Sequence, residues 1–150
     1  MINIEYEFSY LATLKEPLQI GAGPFGARAF VEVTGGTFEG KRLNGKILAE
    51  GGDWILIGPD GYARLDVRVQ LVTNDGAALY LQHTGLLEMN DKVTKALASG
   101  GTTDYADHYF RSTQRIETGD PRYLWLNQTI FVAEGRLGPG RAEYSVYRVA

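Results

Sequence analysis

Residues 63–84 read ARLDVRVQLVTNDGAALYLQHT, and this stretch decides the fold. In its first arm Arg64, Asp66, Arg68 and Gln70 share one face, while Leu65, Val67, Val69 and Leu71 share the other. Side chains in a strand alternate between faces, so this is a half-buried strand. In the second arm Tyr80 and Gln82 face opposite to Leu79, Leu81 and His83. A two-residue Asp75-Gly76 loop would set Val69 against Gln82 and mix the faces. A three-residue loop, with Gly76 in the left-handed position, sets Gln70 against Tyr80 and Arg68 against Gln82. Face agreement selects the three-residue loop. The hairpin then has one polar face, built from Asp66, Arg68, Gln70, Tyr80 and Gln82.

The same period of two recurs outward from the hairpin. On the N-terminal side Ile4, Tyr6, Phe8 and Tyr10 alternate with Glu5, Glu7 and Ser9. PLQIGAGPFGAR reads as a glycine-rich connection, followed by strands over 29–34, 41–48 and 54–57. On the C-terminal side Asn90 is a candidate N-cap for a helix within 88–98, with Val93, Ala96 and Leu97 as its apolar stripe. Ser99-Gly100-Gly101 stops it. Residues 109–134, YFRSTQRIETGDPRYLWLNQTIFVAE, read as two strands around the turn Thr118-Gly119-Asp120-Pro121. The second of these puts Tyr123, Trp125, Asn127, Thr129 and Phe131 on one face. A final strand alternates Ala142, Tyr144 and Val146 with Glu143, Ser145 and Tyr147. About nine strands with glycine punctuation and one short helix indicate an all-β antiparallel fold, and closure into a barrel would remove the exposed edges.

Composition bounds the function. The chain of 150 residues is long enough for one domain with a full core. It has no cysteine, which excludes disulfides, thiolate catalysis and cysteine-ligated metal. A net charge of −3 gives no general attraction to nucleic acid. No apolar run reaches the ~18 residues of a membrane helix. MINIEYEFSYLATL, interrupted by Glu5 and Glu7, is not the expected form of a signal peptide, so a cytoplasmic location is expected.

Two glycine motifs carry little. Gly21 to Gly26 spells GxGxxG, but a β-prone segment follows where a dinucleotide site needs a helix. GGTFEGK at 35–41 resembles a phosphate-binding loop, yet Arg42 stands where Ser or Thr would hold magnesium, and a hairpin turn is the simpler reading. His83 and His108 are the only histidines and form no metal-ligand pair; His83, on an apolar face, reads as a packed histidine. No metal and no cofactor are expected.

The better constellation is Asp66, Arg68, Tyr80, Arg111, Trp125 and Asn127, with Trp54. Inside a barrel, Trp54, Tyr80 and Trp125 would stack a small organic ligand and Asn127 would orient it. Asp66 would transfer a proton and Arg68 or Arg111 would stabilise an oxyanion. The alternative is that Asp66 and Arg68 lie on the outer, solvated face, or form an inner pair that only fixes register.

VTGGTFEG (33–40), Gly51-Gly52-Asp53-Trp54, Pro59-Asp60-Gly61, Leu65-Asp66, Tyr109-Phe110-Arg111 and ETGDPRYLWLN (117–127) together resemble the domain of unknown function 3237 family. The resemblance implies a closed, calycin-like antiparallel barrel of about eight to ten strands in a bacterial or fungal cytoplasmic protein. It carries no assigned activity. Residues 88–108 resemble the family least, leaving room for a lid or helix. Three functions fit the sequence: a cofactor-free isomerase, lyase or cyclase on a small aromatic or cyclic metabolite, a carrier of such a ligand, or a structural protein whose barrel is filled by side chains. Tyrosines outside the apolar stripes suggest a homodimer.

Overall fold

A computed structural model describes all 150 residues. Ten strands run in the order β1 (Ile4–Leu14), β2 (Leu18–Gly23), β3 (Gly26–Gly40), β4 (Gly45–Ile47), β5 (Gly51–Ile57), β6 (Tyr62–Thr73), β7 (Ala78–Glu88), β8 (Phe110–Glu117), β9 (Phe131–Gly138) and β10 (Arg141–Val149). Every pairing is antiparallel, in the order β1-β10-β9-β8-β7-β6-β4-β3. The sheet closes because β1 also pairs with β3, and β5 bridges β3 and β6 beside β4. The result is a closed eight-stave barrel. β2 is an extra strand on the free half of β3, where the sequence suggested only a connection.

The long strand β3 makes closure possible. Its first half pairs with β2 and β5, its second with β1 and β4. GGTFEGK is therefore strand for most of its length, and the chain turns only after Gly40. Gly36 adopts φ 139°, and a methyl group there would overlap the Leu11 carbonyl oxygen. The glycine pair allows β1 to approach, which is a packing demand and not a phosphate cradle.

The β6–β7 hairpin has the three-residue register. Gln70 faces Tyr80, Arg68 faces Gln82 and Asp66 faces Thr84. Asn74, Asp75 and Gly76 form the loop, with Gly76 at φ 92°. A Cβ at Gly76 would meet nothing within 4 Å, so only backbone strain opposes a side chain there. Gly76→Ala is expected to cost about 1 kcal/mol, read as a lower denaturant midpoint at unchanged m-value.

Alternation fails in two places. A bulge between Tyr6 and Phe8 leaves Ile4 and Tyr6 outside, although Phe8 and Tyr10 point in, and it turns Glu7 into the barrel base. The strand expected after Pro121 is instead a pair of 3-10 turns over Pro121–Gln128, and β9 begins only at Phe131. Asp120 caps these turns by accepting from the Arg122 amide at 2.9 Å, and Pro121 supplies a φ that suits a first helical position. This segment floors the barrel, sending Leu126 into a base that also holds Leu43, Phe8 and Phe131.

Residues 88–108 hold α1 (Asp91–Ser99), capped by Asn90, which accepts from the Val93 amide at 3.0 Å, and ended by Gly100. Val93 and Ala96 are buried, whereas Leu97 is exposed at the opposite mouth of the barrel. No helix is long and apolar enough to cross a membrane.

Candidate functional site

The inner face of each strand is apolar for most of its length: Leu65, Val67 and Val69 on β6, Leu79 and Leu81 on β7, Val31 and Val33 on β3. These side chains are too small to fill an eight-stave lumen, and a cavity of about 650 Å³ remains. Its mouth lies among Pro17 and Gln19, Met89, Leu97 and Gly100, and the β9–β10 turn. The packed base closes the other end.

Besides Lys15, Glu16, Gln19 and Arg141, the lining carries four polar side chains: Asp53 from β5, His83 from β7, Tyr10 from β1 and Tyr144 from β10. The Tyr10 and Tyr144 rings stack with centroids 4.7 Å apart, and His83 meets Tyr144 edge-on at 5.1 Å. The Tyr10 hydroxyl donates to Gln114 Oε1 at 3.1 Å, and Gln114 Nε2 donates to Ser112 Oγ at 2.8 Å. The Tyr10 proton is thus committed. Tyr144 makes no side-chain hydrogen bond that would perturb its hydroxyl, and His83 Nδ1 is buried without a partner.

Asp53 accepts from the Asp66 amide at 3.1 Å through Oδ1. Burial pushes its carboxyl up to about 7; that amide opposes the rise, and the Asp66 charge adds to it. Burial pushes His83 down to about 3, so the imidazole is neutral. Burial first, then the Tyr10 and Asp53 charges, raises the Tyr144 phenol, and Tyr10 is raised mainly by burial. The lumen therefore holds one carboxyl poised between its two forms, beside two phenols and an imidazole that stay neutral. That is acid–base equipment in a low-dielectric chamber.

The constellation expected from sequence does not assemble. Asp66 and Arg68 lie on the outer hairpin face with Tyr80 and Gln82, because the apolar alternate residues fill the inner face. Arg111 is also outside, near Glu134 at 3.8 Å. Trp54 is 47% exposed and packs on Phe30 across the outer surface. Trp125 lies in the 3-10 floor under the Arg42 guanidinium, 3.8 Å from the ring centroid. Asn127 braces the turn by accepting from the Thr118 amide and donating to the Thr118 carbonyl. Of the whole set only Asp66 bears on the lumen, through Asp53. His83 is not merely packed but lines the cavity. His108 is structural, its Nε2 2.7 Å from the Thr103 hydroxyl. No three His, Asp or Glu residues converge as metal ligands.

Residues 3–149 match the family model described as Protein of unknown function (DUF3237). The chain belongs to this family. The chain is similar to the conserved protein of unknown function from Rhodopseudomonas palustris, 29% identical with a TM-score of 0.91, the match covering 100% of this chain and 99% of that one. A beta-barrel like protein from Acinetobacter baumannii is 34% identical with a TM-score of 0.84, covering 100% and 97% of the two chains. An enzyme from Penicillium herquei shares the fold at 19% identity, with a TM-score of 0.73 and 99% and 95% coverage.

Proposed function

We propose that this DUF3237 chain is an enzyme that binds a small, mainly apolar, ring-containing molecule in the lumen and moves a proton on it, as an isomerase, lyase or cyclase. Its acid and base are its own side chains, with Asp53 as the proton carrier. The observation that carries the reading is a half-buried carboxyl facing an open apolar cavity and held near neutrality by desolvation. A carboxyl at that value is populated as acid and as base at neutral pH, the condition for efficient general acid–base work. The Penicillium herquei neighbour, itself described as an enzyme, is compatible with chemistry in such a barrel. An open lumen argues against a barrel filled by side chains.

The test does not require the product in advance. Purified protein is incubated with cyclic ketones, lactones and phenols in deuterium oxide, and deuterium uptake is read by mass spectrometry. Uptake on at least one compound is expected, and Asp53→Asn should slow it by about 100-fold or more. Full uptake by the variant sinks the assignment of Asp53. The apolar wall also suits a carrier, and saturable binding of these compounds without uptake by the wild type selects that second reading.

A further inference from the structure

The polar groups of the lumen also specify what the bound molecule must present to them, an inference that rests on the reading just given. We infer that the site takes an uncharged carbonyl compound, with its oxygen accepting a hydrogen bond from the Tyr144 hydroxyl.

The argument is one of unspent donors. Tyr10 has committed its proton to Gln114 Oε1, so it offers a ligand only lone pairs. Gln114 Nε2 is engaged with Ser112. One Asp53 oxygen is occupied by the Asp66 amide. The Tyr144 hydroxyl makes no hydrogen bond and remains free to donate, and so does the N–H of neutral His83, whose Nδ1 has no partner and whose ring meets Tyr144 edge-on at 5.1 Å. A donor that faces an apolar lumen with no partner is costly once a ligand displaces solvent, and an acceptor oxygen on the ligand corrects that.

Charge narrows the class further. Lys15 and Arg141 line the mouth, Lys15 paired with Glu32 at 3.4 Å and Arg141 3.7 Å from Glu143, its Nε buried without a hydrogen-bond partner. No cation stands among Asp53, His83, Tyr10 and Tyr144. A carboxylate or phosphate at that depth would be desolvated without a counter-charge, whereas a ketone, enone or lactone oxygen would not.

The chemistry then follows with its electrons balanced. The Asp53 carboxylate takes the proton from the carbon beside the carbonyl. The C–H bonding pair becomes the carbon–carbon π bond, and the carbonyl π pair moves onto oxygen, where the Tyr144 O–H bond to it strengthens. Return of the proton from Asp53 to the far carbon of a conjugated enolate completes an isomerisation with no oxidant or reductant. Tyr144 touches the reacting oxygen, so it is a catalytic residue of this step.

Three probes of one skeleton test this: tetralin, α-tetralone with an isotopically labelled carbonyl carbon, and tetralin carboxylate. Binding to wild type, Tyr144→Phe and Asp53→Asn is measured by calorimetry, the labelled carbon by NMR, and exchange of the proton beside the carbonyl in deuterium oxide. The ketone should bind wild type about tenfold more tightly than tetralin, and the carboxylate more weakly than either. Its carbonyl resonance should move downfield. Tyr144→Phe should erase the preference and the downfield movement, slow exchange by about 100-fold, and leave tetralin binding unchanged. Asp53→Asn should stop exchange while keeping the ketone preference. A preference and resonance that persist in Tyr144→Phe overturn the carbonyl inference alone, leaving Asp53 as proton carrier if its variant still stops exchange. Failure of all three probes to enter the lumen overturns the cavity reading and this inference with it.

Discussion

Replacing Asp53 by Asn should stabilise the protein relative to wild type as pH rises from about 4 to about 7. The folded carboxyl sits at about 7 and an unfolded one near 3.8, so between those values the native state binds the extra proton. Stability contributed by this group is fully present below about 4 and is lost as pH climbs through about 7. A shift of this size corresponds to something on the order of 4 kcal/mol across the window, since each pH unit is worth about 1.4 kcal/mol. Asn has nearly the shape of Asp and no proton to lose, so the variant escapes this decline. His83 contributes the opposite sign. It is neutral when folded, so its stability is present above about 6.5 and lost as pH falls toward about 3. His108 is lowered as well, mainly by burial. Both act alike in the two proteins and cancel in the difference. Urea unfolding of both proteins across this range reads that difference directly. A difference that does not change with pH would mean Asp53 is solvated in the native state, and its assignment as a poised acid and base would fall.

The barrel was legible because its signals are local and redundant. Hairpin register follows from agreement between the faces of Arg68 and Gln82, and Gly76 supplies the turn conformation, so residues 63–84 could be folded from their own letters. Asn90 and Gly100 likewise mark both ends of α1. The candidate site was not legible in this way. Its members come from β1, β5, β7 and β10, far apart in sequence, and each looks ordinary in its own strand: Tyr10 and Tyr144 read as core aromatics, and Asp53 sits beside glycines that suggest a turn. A gathering of polar residues on one face, as at Asp66, Arg68, Tyr80 and Gln82, is what a solvated outer face looks like. The informative signal is the reverse, a single polar residue on an otherwise apolar face. His83 among Leu79, Leu81 and Val67 was that signal. The Pro121–Gln128 segment failed for a different reason. Its apolar side chains alternate well enough for a strand, but Asp120 and Pro121 nucleate 3-10 turns, and local capping overrides the weak period of two.

That same floor makes the removal of Arg42 the other large expected effect. The β1 bulge turns Glu7 inward until only 5% of it is exposed. Arg42 answers with both arms of its guanidinium, Nε at 3.0 Å from Oε2 and Nη2 at 2.5 Å from Oε1. Its opposite face lies on the Trp125 ring. Arg148 Nε, 3.8 Å from Oε1, is the only other cation near this carboxylate and is too far to replace those bonds. Arg42→Ala therefore strands a buried charge and unstacks Trp125. Breaking a fully buried pair from one side costs about 3 kcal/mol or more. With Glu7 buried but the Arg42 guanidinium half exposed, the loss should lie between about 1 and 3 kcal/mol. For a domain of this size that lowers Tm by roughly 2–12 °C. The double variant Glu7→Gln with Arg42→Met removes both charges and keeps an aliphatic stem against Trp125, so it should recover most of the loss. Scanning calorimetry of the two variants separates the contributions. A loss in Arg42→Ala below about 1 kcal/mol would show that solvent at the half-exposed guanidinium already supports Glu7, since exposed pairs are worth no more than that. A double variant as unstable as Arg42→Ala would instead put the cost in the packing of the floor.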